Sequence, residues 1–190
     1  MKDLNKSSRL LILLASLALF ATYFLPIWRI DLWAPQYPEG LSMFIWLDKL
    51  SGQVEIINGL NHYIGMAHIK EEMFPEFIYL PYIAGFIIAA GVLTAGIGKR
   101  SVLIGYLTLL VLGAIIALAD FYKWGYEYGH NLSDDAAIKV PGMSYQPPVI
   151  GYKELLNFGA YSVPASGGWI FVGLGLTVIG VLIFEFKRKK

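Results

Sequence analysis

Phe77 to Asp120 reads FIYLPYIAGFIIAAGVLTAGIGKRSVLIGYLTLLVLGAIIALAD. Two apolar runs, 77–98 and 101–119, flank a single basic turn, Lys99-Arg100. A bilayer core about 30 Å thick requires about 20 helical residues, so each run is long enough to span. Together they predict a transmembrane helical hairpin. Pro81 near its start fits a first turn or a kink. Gly85 with Ala89, and Gly91 with Ala95, are small pairs four apart, which let helices approach closely.

Two further apolar runs lie outward of this hairpin. Leu10 to Trp28 follows a polar, basic start (Lys2, Lys6, Arg9). It is longer than the 7–15-residue core of a signal peptide. Its bulky exit, Phe24-Leu25-Pro26-Ile27-Trp28, lacks a small-residue cleavage site, so it reads as an uncleaved anchor. Gly168 to Phe186 precedes the basic tail Lys187-Arg188-Lys189-Lys190. Spans at about 10–28, 77–98, 101–119 and 168–186 give a mainly α membrane protein. The expected architecture is a four-transmembrane-helix bundle in one domain, 1–190, carrying a small mixed α/β periplasmic cap.

Composition agrees. Hydrophobic residues make up 56% of the chain and charged residues 15%, against roughly 25% charged in soluble domains. Mean hydropathy is +0.57. A net charge of +1 offers no broad basic surface for nucleic acid. The chain has no cysteine, which excludes disulfides, thiolate metal sites and cysteine nucleophiles. Basic residues near span ends set orientation. Those at 2–9, 99–100 and 187–190 fall on one side, which places both termini in the cytoplasm of a bacterial inner membrane. Loops 29–76 and 120–167 then face the periplasm.

Within the first loop, Leu41 to Leu47 and Gln53 to Ile57 are β-prone, and Asp48 to Gly52 reads as the hairpin connection between them. A short helix is expected near Asn61 to Met73 with Asn61 as its N-cap. In the second loop, Ser133-Asp134-Asp135-Ala136-Ala137 carries a helix-start signal. The aromatic side chains of both loops suit an interfacial belt and a cap core.

Candidate chemistry centres on Ile57-Asn58-Gly59-Leu60-Asn61-His62-Tyr63-Ile64-Gly65-Met66-Ala67-His68. Imidazole and thioether together suit copper, the thioether especially Cu(I). His62 and Met66 are four apart, so a helix stacks them on one face and turns His68 away, whereas a loop geometry gathers all three. His130 and Met143 in the second loop complete a site if the loops pack together. The Pro141-Gly142 turn tends to expose Met143. Asp120 ends the third span and can pair with Lys123; Glu185 can pair with the basic tail. Nucleophile-elbow, phosphate-loop and HExxH patterns are absent, and the apolar spans do not suit a wet pore.

Four loop segments carry a resemblance: Ala34 to Leu41, Asn58 to Met66, Tyr128 to Leu132, and Pro141 to Pro148. They resemble small membrane proteins of Bacteroidota-type bacteria encoded beside nitrous-oxide reductase and its copper-maturation factors. The resemblance implies an accessory role in copper-site assembly, or in electron supply, for a periplasmic copper enzyme. His62, Met66, His130 and Met143 lie inside the matching segments. The topology also looks like that of claudins, without their first-loop disulfide pair.

The expected protein is thus not an enzyme. Beside the lipid bilayer, its expected partner is a periplasmic copper protein or a cytochrome, and it binds copper through His62, Met66, His130, Met143 and His68. A second reading is a structural or docking subunit that holds its partner without metal. A third is a subunit that touches quinol through Asp120 or His130.

Overall fold

The computed structural model describes residues 3–155 and 157–188. Helix α1 (Lys6–Ala18) opens on Asn5, whose side chain accepts from the Ser8 amide at 2.6 Å, a standard N-cap arrangement. A 3₁₀ segment, Leu19–Tyr23, completes the first span. The span closes sooner than the apolar run because Leu25-Pro26 disfavours further helix. Trp28 belongs instead to strand β1 (Trp28–Ala34). Helices α3 (Glu76–Ile97) and α5 (Ser166–Lys187) match their predicted spans closely. Helix α4 (Arg100–His130) runs well past Ala119, so its last turns enter the cap. By length and composition, these four helices can cross a membrane.

The three basic segments meet at one end of the bundle. The Leu4 amide donates to Gly98 O at 2.7 Å. Arg9 donates to Ala95 O and Gly96 O, the final carbonyls of α3, at 2.7 and 2.6 Å. Cations favour such helix C-termini. The expected pairing of Glu185 with the basic tail is present through Arg188 at 3.2 Å. Asp120, by contrast, makes no ion pair with Lys123, which reaches Glu127 at 3.9 Å on the exposed side of α4.

The cap is a five-stranded antiparallel sheet in the order β3-β2-β1-β5-β4. The first loop supplies β1, β2 (Tyr37–Ile45) and β3 (Leu50–Gly52). The second supplies β4 (Gly151–Leu155) and β5 (Phe158–Pro164), a hairpin not expected from the sequence. The central pairing, from Trp28 with Pro164 to Trp33 with Gly159, joins the two loops. Alternation places Ile30, Leu32, Met43, Leu155 and Ala160 on the core face, as expected of a sheet with one solvated side.

Three local expectations are corrected. Gln53 to Ile57 is not a strand: Val54–Tyr63 is helix α2, with Ile57, Asn58 and Asn61 buried. Burial at three- and four-residue spacing is a helical period, and it overrides the β-branched composition. The strand that pairs with β2 is β3, within the segment expected to turn. Asn61 is in the last turn of α2 rather than at an N-cap, and Gly65, at φ 78°, closes that helix as glycine commonly does. Residues 133–137 form a turn in which Ser133 Oγ accepts from the Asp135 amide at 3.2 Å. That local bond competes with helix.

Candidate functional site

The chain reversal at Gly65 brings residues 66–69 back along α2. Asn58 fixes it: its amide donates to Ile69 O at 3.0 Å, and its Oδ1 accepts from the Ile69 amide at 2.7 Å. Two bonds from one buried side chain imitate a strand partner and satisfy an otherwise stranded backbone. The result separates the expected His62 and Met66 pair. Met66 is buried in the cap core, while His62 is exposed. His68 is the residue returned to His62, with ring centroids 6.2 Å apart and planes at 77°. The helical spacing that was to turn His68 away does not apply, because α2 stops before it.

The second loop does meet this segment, through backbone. The Ser133 amide donates to Gly65 O at 2.8 Å, and the Ile138 amide to Tyr63 O at 2.9 Å. Met143 is half-buried against the same core as Met66, so the Pro141-Gly142 turn does not expose it. His130 is exposed, stacked on Tyr126 at 4.0 Å, with Nδ1 2.8 Å from Tyr126 O. Of the five side chains expected to gather, the fold sets His62 beside His68, places Met66 and Met143 in the core, and leaves His130 on α4. Among the described residues, no three of His, Asp and Glu are placed to share an ion.

The core beneath the sheet is aromatic. Phe121, Trp124 and Tyr128 recur along one face of α4, and Trp124 stacks on Tyr128 at 4.8 Å. A cavity of about 60 Å³ lies here, lined by Met43, Met66, Asn61, Tyr128 and Tyr145 among others. Asn61 Nδ2 donates to the Tyr128 hydroxyl at 2.5 Å. Burial pushes the Tyr128 hydroxyl well above the ordinary tyrosine range, against a smaller opposing pull from Asn61, so it stays protonated. The buried Tyr145 hydroxyl has no hydrogen-bond partner among the described residues. The space suits one or two waters at about 30 Å³ each. It is far below the roughly 300 Å³ of a cofactor-sized pocket.

Two features had little signal in the sequence. The first is α4 between Val111 and Asp120, where ten consecutive residues are exposed on every face. Elsewhere in the bundle, α3 and α5 bury a residue every three or four positions. The second is an open groove at the far tip of the sheet, lined by Trp33, Tyr152, Glu154, Asn157, Gly159 and Tyr161 among others. The alternation of Tyr152 and Glu154 was its only trace, and it is too short to read without the pairing of β4 with β5. No protein-family model matches the chain, and no curated protein or solved structure matches it.

Proposed function

We propose that this protein is a non-enzymatic accessory subunit of a bacterial inner membrane, with cytoplasmic termini and a periplasmic cap, which docks a partner through α4. The observation that carries this reading is the free stretch Val111 to Asp120. Ten residues are nearly three turns, about 15 Å of helix. Both ends of α4 are held, by the bundle at Leu103 and Tyr106 and by the cap at Trp124 and Tyr128. The middle is exposed throughout, and it contains Gly113 and Ala117, a small pair that permits close helix approach. A partner's transmembrane helix fits such a stretch. A membrane-anchored cytochrome or copper protein, the partner class implied by the loop resemblance, meets that description.

The absence of cysteine makes the test direct. Ala117→Cys in native membranes is expected to form a disulfide or bismaleimide adduct with one dominant membrane protein. Leu176→Cys, 64% exposed on α5, is expected not to. Equal labelling of both sites without a discrete adduct means that lipid alone surrounds α4, and the reading fails.

The ring pair His62 and His68 supports a second reading, copper transfer. Imidazole nitrogens bind metal at about 2.0–2.1 Å, so two rings on one ion stand at most about 6.4 Å apart between centroids. The observed 6.2 Å lies just inside that limit and suits the near-linear two-coordinate geometry of Cu(I). An exposed, two-ligand ion is open to displacement by a partner's ligands. His62→Ala and His68→Ala are each expected to weaken Cu(I) binding at least tenfold in competition with a chromogenic chelator, while Met66→Leu and His130→Ala leave it unchanged. Equal losses in all four variants, or none, would sink it.

A further inference from the structure

The groove at the sheet tip is floored by a glycine. Trp33, Gly159 and Glu154 lie in one row across β1, β5 and β4. The Tyr152 ring takes the place of the side chain that Gly159 lacks: a methyl there would meet its hydroxyl at 2.9 Å and its ring at 3.0 Å. Tyr161 and Asn157 complete the rim of a groove of about 650 Å³, within the range of small-molecule sites. Tyr152 is 63% exposed and Trp33 38%, although rings of this size usually find cover. Among the described residues neither ring stacks on another aromatic side chain; the Trp33 indole lies against Gly40 of β2, where a methyl would be 2.8 Å from its Nε1.

The polar atoms of the rim are equally unengaged. The indole N–H of Trp33, the hydroxyls of Tyr152 and Tyr161, the carboxylate of Glu154 and the amide of Asn157 form no hydrogen bond or ion pair within the described protein. We propose that this groove binds a neutral saccharide, with a pyranose ring stacked on Trp33 or Tyr152 and its hydroxyls held by Glu154 and Asn157. A sugar ring has an apolar C–H face and an equatorial belt of hydroxyls that both donate and accept. That combination matches aromatic faces bordered by donors and an acceptor.

An organic cation is the closest rival, because aromatic faces beside a carboxylate attract one. A cation leaves the indole N–H, the amide N–H₂ and the phenol hydroxyls without acceptors. The site lies in the cap rather than on α4 and stands independently of the docking reading.

The test uses the full-length protein in detergent with three soluble probes: tetrasaccharides of β-1,4-linked glucose, β-1,4-linked N-acetylglucosamine and α-1,4-linked glucose. Choline is the cation probe. Isothermal titration is expected to detect at least one saccharide, with at least tenfold weaker binding in Tyr152→Ala and in Glu154→Ala. Both positions are exposed, so an unchanged melting temperature confirms that each variant is folded. Lys153→Ala, on the opposite face of β4, is expected to bind as the parent does. Binding of choline alone, no binding of any saccharide, or saccharide binding unaffected by both groove variants would each overturn the proposal.

Discussion

Glu185→Ala is expected to lower the stability of the bundle by about 1–3 kcal/mol, the range for leaving buried donors unsatisfied. The carboxylate is fully buried, and it organises the end of the bundle where the start of α1 meets the end of α5. Its Oε1 accepts from the Asn5 amide at 3.0 Å and from Ser8 Oγ at 2.7 Å, and its Oε2 faces Arg188 at 3.2 Å. Arg100 donates to the Glu185 carbonyl and lies over the Phe186 ring. Truncation strands the Asn5 and Ser8 donors, while Arg188, 36% exposed, keeps water. Glu185→Gln keeps an acceptor for Asn5 and Ser8 but loses the ionic partner of Arg188. Its expected cost is smaller, about 0.5–1 kcal/mol, because solvent screens an exposed partner. Unfolding in mixed micelles of rising SDS fraction, followed by helical circular dichroism, measures both. An alanine variant as stable as the parent would show that solvent already screens this carboxylate.

Gly91→Ala is expected to be strongly destabilising. A Cβ there would lie 2.0 Å from Ser16 Oγ and 2.6 Å from both Ser16 Cβ and the Tyr106 hydroxyl. None of these atoms can yield cheaply. Ser16 Oγ donates to Ile12 O at 2.8 Å and lies 3.3 Å from the Tyr106 hydroxyl. Tyr106 in turn donates to Ile87 O at 3.1 Å. The three helices α1, α3 and α4 therefore close on this one glycine, and overpacking such a point costs about 1–3 kcal/mol. Gly96→Ala, in the same helix with nothing within 4 Å, is expected to be neutral, or stabilising by up to about 1 kcal/mol through helix propensity. Ser16→Gly should restore much of the Gly91→Ala loss, since contacting sites are non-additive. The same SDS titration reads all three. Equal midpoints for Gly91→Ala and Gly96→Ala would show that the helices are not in contact here.

The spans and the cap differ in how much of each was legible in the sequence. Helices α3 and α5 follow the apolar runs 77–98 and 168–186 within two residues at each end. The basic segments gather at one end, as their spacing implied. In the cap, local composition misled. Gln53 to Ile57 has strand-like residues, yet Ile57, Asn58 and Asn61 face the core of a helix. Met66 is four residues from His62, yet the Gly65 reversal and the Asn58 clamp send one into the core and the other outward. The length of α4 was also understated. Beyond Asp120 it is amphipathic rather than apolar, with Phe121, Trp124 and Tyr128 facing inward and Tyr122 and Tyr126 outward.

The sequence by itself determined the four helices, their shared basic end and the two extramembrane segments. Hydrocarbon forbids unsatisfied backbone, so length and hydropathy alone pick out what can cross it. Only the tertiary structure decided the pairing of β1 with β5, the neighbour of His62, the burial of Met66 and Met143, and the placing of the Tyr152 ring over Gly159. Each depends on a register between segments far apart in the chain, and a one-residue slip would turn every side chain of a strand to the opposite face.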